Sequence, residues 1–426
     1  MIPVNKLRTQ TEMVRKSLEK RGWNQDRIAV IDEINALDDQ RKNFQLQLDS
    51  SLNETRQLSA KIGELMKKGS VEEADQLKER IPQLKESIKE LEEAFRNCKT
   101  ELGDKLLTVP NALHDSVPFG KGAEDNEVYK DWQNDFPDIG EKPLPHWELA
   151  KKYNIIDFER GAFITGSGFP LFQGKGARLN RALINFFLDE AIDNGYLEIR
   201  PPFLVNEDSA RATGQLPDKE GQMYFIQEDN FYLIPTGEVP ITNIYRDVIL
   251  KESDFPIRMV GMTPCFRREA GSYGSDVKGL NRVHQFDKVE IVHIEHPDKS
   301  YETLQKMLDH VEKLLIKLEL PYRILRLCGG DLGFTSALTF DFEVYATAQK
   351  KWLEVSSVSN FEDFQANRLM LRYKDETGKT NLAHTLNGSA LALARIVAAV
   401  LENNQCESGI KVPKVLRKYT GFDMID

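Results

Sequence analysis

Five short segments of the 426-residue chain carry side chains whose types and spacing could do chemistry. The stretch Gly261-Met262-Thr263-Pro264-Cys265-Phe266-Arg267-Arg268-Glu269 runs into a glycine-rich loop, Ala270-Gly271-Ser272-Tyr273-Gly274-Ser275. Then follows Arg282-Val283-His284-Gln285-Phe286-Asp287-Lys288-Val289-Glu290. Arginine offers a planar fork to a phosphate or a carboxylate. A phenylalanine on the facing strand offers a surface on which a base can stack. A hairpin whose charges simply pair with one another satisfies the same residues. In Tyr232-Leu233-Ile234-Pro235-Thr236-Gly237-Glu238 a strand runs into a turn bearing a hydroxyl and a carboxylate; Thr236 there also fits the N-cap of a helix starting near Val239, and the two roles are compatible. In Trp352-Leu353-Glu354-Val355-Ser356-Ser357, Glu354 and Ser357 are oxygen donors suited to a hard cation. The stretch from Thr385 to Val397 reads as strand, glycine turn at Gly388 and helix, with Arg395 two turns in; a packed helix with a solvated arginine is the plainer reading. His293 and His296 flank Glu295, too short a ligand set for a metal, and are expected on a surface loop.

These residues need elements to hold them. Residues 176–194 have helical apolar spacing (Leu179, Leu183, Phe186, Phe187, Ala191), with Gly195 placed to end the helix and a strand from Tyr196 stopped at Pro201-Pro202. The two arginine-bearing segments read as an antiparallel hairpin. The first hundred residues differ in kind. One heptad position holds Leu37, Phe44, Ser51, Leu58 and Leu65 and its partner Ile34, Arg41, Leu48, Thr55 and Ile62. After Lys67-Lys68-Gly69-Ser70 the pattern resumes with Leu77, Leu84, Leu91 and Cys98 beside Ile81, Ile88, Phe95 and Leu102. A 3.5-residue period predicts a coiled-coil seam, and the polar break predicts that the second helix folds back on the first. Pro82 is expected to kink the second helix or to mark where it restarts. Five prolines between residues 106 and 147 predict a linker and edge region.

Composition bounds the class. There are 57 Lys and Arg against 67 Asp and Glu, a net charge of −10. Residues 1–105 carry 20 basic and 20 acidic groups, so the acidic excess lies wholly beyond them and the arm is neutral. Whole-chain acidity therefore does not exclude a nucleic-acid partner that a balanced arm grips locally. No apolar run approaches the length of a membrane helix, and the N-terminus lacks the apolar core of a secretory signal. Four cysteines without a CxxC pair argue against a disulfide framework and for a reduced, cytoplasmic setting.

The order of helix, strand and proline, then FRRE, loop and strand, then a small-residue segment leading to arginine resembles the three motifs of class II aminoacyl-tRNA synthetases. LIPTGE, FRREAGSYGSD, GLNRVHQFDKVE, EVSSVSNFEDFQ and TLNGSALALAR, behind the long arm, resemble the bacterial-type seryl-tRNA synthetase family over nearly the whole chain. Ala390 and Ala394 stand where many members have glycine, a small-for-small change. The resemblance implies an α+β fold: an antiparallel helical arm over residues 1–107 that binds tRNA, a linker or edge region over 108–147, and a class II catalytic domain over 148–426, its antiparallel sheet flanked by helices.

It implies ATP-dependent attachment of L-serine to tRNA(Ser) through a seryl-adenylate, with tRNA(Sec) also served where it exists. Arg267 would grip the α-phosphate and the serine carboxylate; Glu269 and the main chain at Val283 would meet adenine and Phe286 would stack on it. Arg282 and Arg395 would hold phosphates, with Arg268 beside them. Glu354 and Ser357 would bind Mg²⁺, with Val355 and Ser356 in the same ATP-binding stretch. Thr236, Gly237, Glu238, Glu290, Thr385 and Ser389 would surround serine. A homodimer, with tRNA gripped across it by the arm, is implied, and no zinc. A ligase loading a carrier protein, or a non-catalytic coiled-coil scaffold, are the competing readings; the arm speaks against the first and the filled charged positions against the second.

Overall fold

The computed structural model describes residues 1–218, 221–269 and 278–426; the glycine-rich loop from Ala270 to Ser275 lies outside them. The chain divides into two units, Ile2–Glu19 with Trp23–Pro110, and Met1 with Lys20–Gly22 and Asn111–Asp426.

The first unit is helical. Short helices α1 (Val4–Thr9), α2 (Thr11–Lys20) and α3 (Gln25–Ile28) precede α4 (Val30–Lys68), α5 (Val71–Lys78) and α6 (Arg80–Thr108). The 39 residues of α4 span about 58 Å at 1.5 Å each. It ends where Gly69 takes φ +79°, letting the Ser70 N–H close back onto the Leu65 carbonyl at 3.0 Å. The returning limb packs on α4 in two pieces. The break falls at Glu79, and α6 restarts with Pro82 in its first turn, where a missing N–H leaves no helical bond unmade. Every predicted seam position is buried or half-buried. Burial is deepest at Ile34, Leu37, Leu48, Cys98 and Leu102. The three short helices were not foreseen; Asn24 caps α3 by accepting the Arg27 N–H at 3.1 Å.

The second unit is built on one sheet of eight strands: β1 (Glu127–Lys130), β2 (Leu197–Glu198), β3 (Ile257–Phe266), β4 (Gln285–Glu295), β5 (Tyr322–Arg326), β6 (Leu338–Ala346), β7 (Lys351–Asn360) and β8 (His384–Ala392). Their order is β1-β5-β6-β7-β8-β4-β3-β2, antiparallel except where β2 meets β3. Helices α7 (Gly174–Asp193), α8 (Glu238–Asn243), α9 (Ser300–Lys317), α10 (Phe364–Leu369) and α11 (Leu393–Asn403) complete the frame. The two-residue alternation of a strand divides the sheet into two faces. Val289, Ile291, Phe340, Phe342, Leu386 and Ala390 join the core formed with α7, α9 and α11. Lys288, Glu290, Thr385 and Asn387 belong to the opposite face, where the chemistry gathers.

Three expectations need correction. Gly388 makes no turn: β8 runs straight through it, opposite Ile291 and Val358, and a β-carbon there would press on Val358. Arg395 is consequently the third residue of α11, in its first turn rather than two turns in. His293 is not on a loop. It lies buried in β4, its Nε2 2.8 Å from the Tyr196 hydroxyl, and burial drives its pKa down to about 3. The strand from Tyr196 shrinks to Leu197–Glu198, and Gly195 takes φ +83° after α7 as the sequence suggested. All four cysteines are free. Among the described residues no helix is long and apolar enough to cross a membrane.

Candidate active site

One half of the site is sealed. Lys288 and Glu290, one pleat apart on β4, form an ion pair of 2.5 Å with side chains only 7% and 2% exposed. Lys288 Nζ also donates to Thr236 Oγ1 at 3.0 Å, and the same oxygen accepts the Glu238 N–H at 3.2 Å. Thr236 thus ties the start of α8 to the sheet and holds its own hydroxyl toward Glu290 Oε2, 3.4 Å away. Gly237 leaves no slack, since a β-carbon there would stand 3.2 Å from Glu290 and from Thr263. Gln365 on α10 donates to Glu238 Oε1 at 2.5 Å and accepts from the Thr385 hydroxyl at 2.7 Å. Ser389 stands directly opposite Glu290, and Asn387, one pleat further along β8, directs its buried side-chain amide to Glu238. Burial, reinforced by the neighbouring Glu290 charge, pushes Glu238 up to about 7 against the pull of Gln365 and Lys288. The result is a small polar chamber that can meet an ammonium group and a hydroxyl.

The other half is open and charged. Arg267 follows the last residue of β3, and its N–H bonds the His284 carbonyl at 2.9 Å. Its Nε donates to the Pro235 carbonyl at 3.3 Å, and its guanidinium lies 5.4 Å over the Phe286 ring. It therefore stands between the sealed chamber and an aromatic face. Arg268 bonds the Gln222 carbonyl through its main chain. Glu269, at φ +47°, pairs with Arg282 at 3.0 Å, and Val283 is buried beside them in sequence. Arg395 donates to the Glu354 carbonyl at 2.8 Å and the Asn281 carbonyl at 2.9 Å, with the Glu354 carboxylate 3.7 Å away.

Ser357 lies opposite Asp341 across β6 and β7 and hydrogen-bonds to it. Burial and the nearby Glu354 push that aspartate well above the usual carboxylate range, and its buried Oδ1 has no hydrogen-bond partner among the described residues. Oxygen donors alone, two of them carboxylates crowded enough to resist joint ionisation, suit a hard divalent cation. Val355 and Ser356 turn away: Val355 joins the helix-side core, and the Ser356 hydroxyl donates to the Ser389 carbonyl at 2.6 Å.

The structure thus adds Lys288, Gln365, Asn387 and Asp341 to the residues picked from sequence. Lys288 was findable, since it precedes Glu290 by two on a strand and must share its face. Gln365 was not, because a separate helix brings it in.

The sheet topology, the charged hairpin and the arginine opening α11 define a class II synthetase core, and residues 224–404 match the model of the tRNA synthetase class II core domain (G, H, P, S and T). Residues 1–113 match the seryl-tRNA synthetase N-terminal domain. The serine--tRNA ligase of Salinibacter ruber is 48% identical over the whole of this chain and 99% of its own length, and that of Prosthecochloris aestuarii 44% with the same coverage. The seryl-tRNA synthetase of Pyrococcus horikoshii complexed with ATP superposes with a TM-score of 0.92 at 35% identity, over all of this chain and 99% of that one. The cytoplasmic serine-tRNA ligase of Naegleria fowleri in complex with AMP gives 0.87 at 27%, with the same coverage. The chain belongs to the seryl-tRNA synthetase family.

Proposed function

We propose that the chain attaches L-serine to tRNA(Ser), and to tRNA(Sec) where that tRNA exists, at the expense of ATP. The observation that carries this reading is the position of Arg267, between a sealed polar chamber and the Phe286 ring. Serine's ammonium and hydroxyl are taken by Thr236, Glu238, Glu290, Thr385 and Ser389, with Gly237 allowing close approach. Its carboxylate faces Arg267, and adenine stacks on Phe286 with Glu269 and the Val283 main chain at its edge. A serine carboxylate oxygen attacks the α-phosphorus, the bond to the β-phosphate oxygen breaks, and pyrophosphate leaves. Both reactants are anions, so preplaced positive charge from Arg267, Arg395, Arg282 and Arg268 lowers the barrier, and no protein nucleophile is needed. Mg²⁺, held by Glu354 and Ser357, would supply further neutralisation of the phosphates when bound. In the second step a terminal ribose hydroxyl of tRNA attacks the seryl carbonyl, the bond from that carbon to the phosphate oxygen breaks, AMP leaves, and the hydroxyl proton passes to water.

Residues 1–107 act as the tRNA-gripping arm, and residues 148–426 as the catalytic domain of a homodimer in the cytoplasm; no zinc is called for. Pyrophosphate exchange into ATP, run in parallel with serine, threonine, glycine and alanine, tests the reading. Serine alone should support fast exchange. Alanine should lose about 10⁴-fold, because it leaves a built polar chamber unpaired. Equal exchange with alanine would overturn the assignment of the chamber.

A further inference from the structure

Outside the groups that face the substrates, one buried constellation converges on the ATP half. Leu144 and Pro145 form a strap that leads into a short helix, His146–Lys152. Gln405 clamps its main chain from both sides, accepting the Leu144 N–H at 2.8 Å and donating to the Leu144 carbonyl at 3.0 Å. His146, fully buried, gives its own N–H to Glu402 Oε1 at 3.0 Å and sets its Nδ1 2.8 Å from the same oxygen. On its far side Nε2 accepts the N–H of Leu280 at 2.8 Å. An acceptor at Nε2 requires the ring hydrogen on Nδ1; of its two neighbours there, Glu402 Oε1 at 2.8 Å and the Gln349 amide nitrogen at 3.3 Å, only the carboxylate oxygen accepts, so Glu402 fixes both the tautomer and the tilt of the ring. Gly279, at φ +67°, lies so close that a β-carbon would stand 2.2 Å from Nε2. Glu402 also accepts from Gln349 (main-chain N–H 3.2 Å, Nε2 2.7 Å). Gln349 Oε1 in turn accepts from Asn281 Nδ2 at 2.8 Å, and the Asn281 carbonyl accepts from Arg395 Nε at 2.9 Å.

The residues after Leu280 are Asn281, Arg282 and Val283, and Glu402 shares α11 with Arg395. We propose that the His146–Glu402 pair is a positioning device for ATP. It sets the height of the limb carrying Arg282 and Val283 and, through Gln349 and Asn281, the direction of Arg395. In this reading it touches neither substrate, and among the described residues no hydrogen bond or ion pair joins it directly to Lys288, Glu290 or Thr236. The inference rests on the reading of Arg282 and Arg395 as phosphate contacts.

The test uses the full-length enzyme and pyrophosphate exchange with ATP and serine each varied at saturating partner. H146A should raise the KM for ATP about tenfold, the worth of one buried hydrogen bond, and leave that for serine within about twofold. H146Q keeps an acceptor oxygen where Nε2 was and should stay within about threefold of the parent, whereas H146N, too short to reach Leu280, should resemble H146A. Q405A loosens the strap without touching the limb; it should lower the melting temperature and leave the ATP KM in place. G279A, which drives a methyl group into the ring, should raise the ATP KM even if H146A fails to fold. Equal rises in both KM values, identical behaviour of H146Q and H146N, or a Q405A profile matching H146A would each overturn the proposal. R395A separates the two levels: if it leaves the ATP KM unchanged the phosphate reading itself fails. If R395A weakens ATP while H146A and G279A do not, only the positioning role fails.

Discussion

The helical unit and the catalytic unit use charge in opposite ways. In the first, the side chains that meet along α4 and α6 are mostly apolar and mostly half-buried, and most charges flank them in water. Each contact there is worth little, and the pairing is the sum of many. In the second, Lys288 and Glu290 on β4 and Glu238 at the start of α8 are charged or titratable groups put out of water, each with a specific partner. Removing one leaves another exposed to a low dielectric, so the loss is large and local. On the proposed reading, an arm that grips phosphates needs length and a tolerant surface, and a chamber that is to tell serine from alanine needs fixed groups that cannot find water instead.

The largest effect that would test this division belongs to Arg267. R267A removes the one cation set between chamber and Phe286, and serine-dependent exchange should fall by about 10³-fold, the scale of losing a preplaced charge at a developing anion. Exchange that survived would show that neutralisation comes from Arg282 and Arg395 instead. Next comes removal of residues 31–102. Exchange should stay within about threefold, while tRNA charging drops by about 100-fold or more, since several phosphate contacts go together. If charging persisted, the arm would be structural only and the contrast between the units would lose its functional side.

A smaller and sharper effect concerns pH. Glu238 titrates in the fold at about 7 rather than at its ordinary 4.5. A raised carboxyl favours the protonated fold, so this group's contribution to stability is full below 4.5 and is lost as pH rises through about 7. In the proposed function substrate binding runs the other way, because serine's ammonium would pair with the Glu238 carboxylate. The serine KM should be flat above about pH 7 and rise about tenfold per unit below it, and E238Q should flatten the profile and gain relative stability at high pH. A parent profile already flat from pH 6 to 8 would mean that the ammonium is met elsewhere in the chamber.

How far these features could be read in advance follows from the range over which each is decided. The seam from Ile34 to Leu102 was legible because every contact repeats at a fixed interval, and the turn at Gly69 because left-handed backbone favours glycine. The hairpin of β3 and β4 was legible from strand patterning on both sides of one loop. Gly388 was misread because glycine signals a turn only when nothing else needs its bareness. Here the near approach of Val358 on the neighbouring strand does. His293 was misread because its hydrogen-bond partner, Tyr196, is 97 residues away. Gln365 and the His146–Glu402 pair were invisible for the same reason, since each is given its role by a segment far off in the chain.

The gentlest test falls at the base of the arm, where one residue breaks the rule. Asp38 is only 4% exposed, yet it carries a charge held by Arg41 at 2.8 Å, Lys42 at 2.6 Å and Arg8 at 3.2 Å. Burial pushes its carboxyl up, but hydrogen bonds from Lys42 and Arg41 outweigh that and hold it below the usual carboxylate range. A depressed carboxyl stabilises the fold above its unfolded pKa and loses that contribution as pH falls toward its folded one. If the arm obeyed the catalytic unit's logic, D38A would be severe. Arg41, Lys42 and Arg8, however, are 31%, 50% and 36% exposed and can return to water. The loss should therefore be about 1–2 kcal/mol, seen as a lower melting temperature of the helical signal at neutral pH and a smaller difference at pH 3. The KM values for serine and ATP should not move. A D38A variant that lost adenylate formation would show that the two units do not keep their energetics apart.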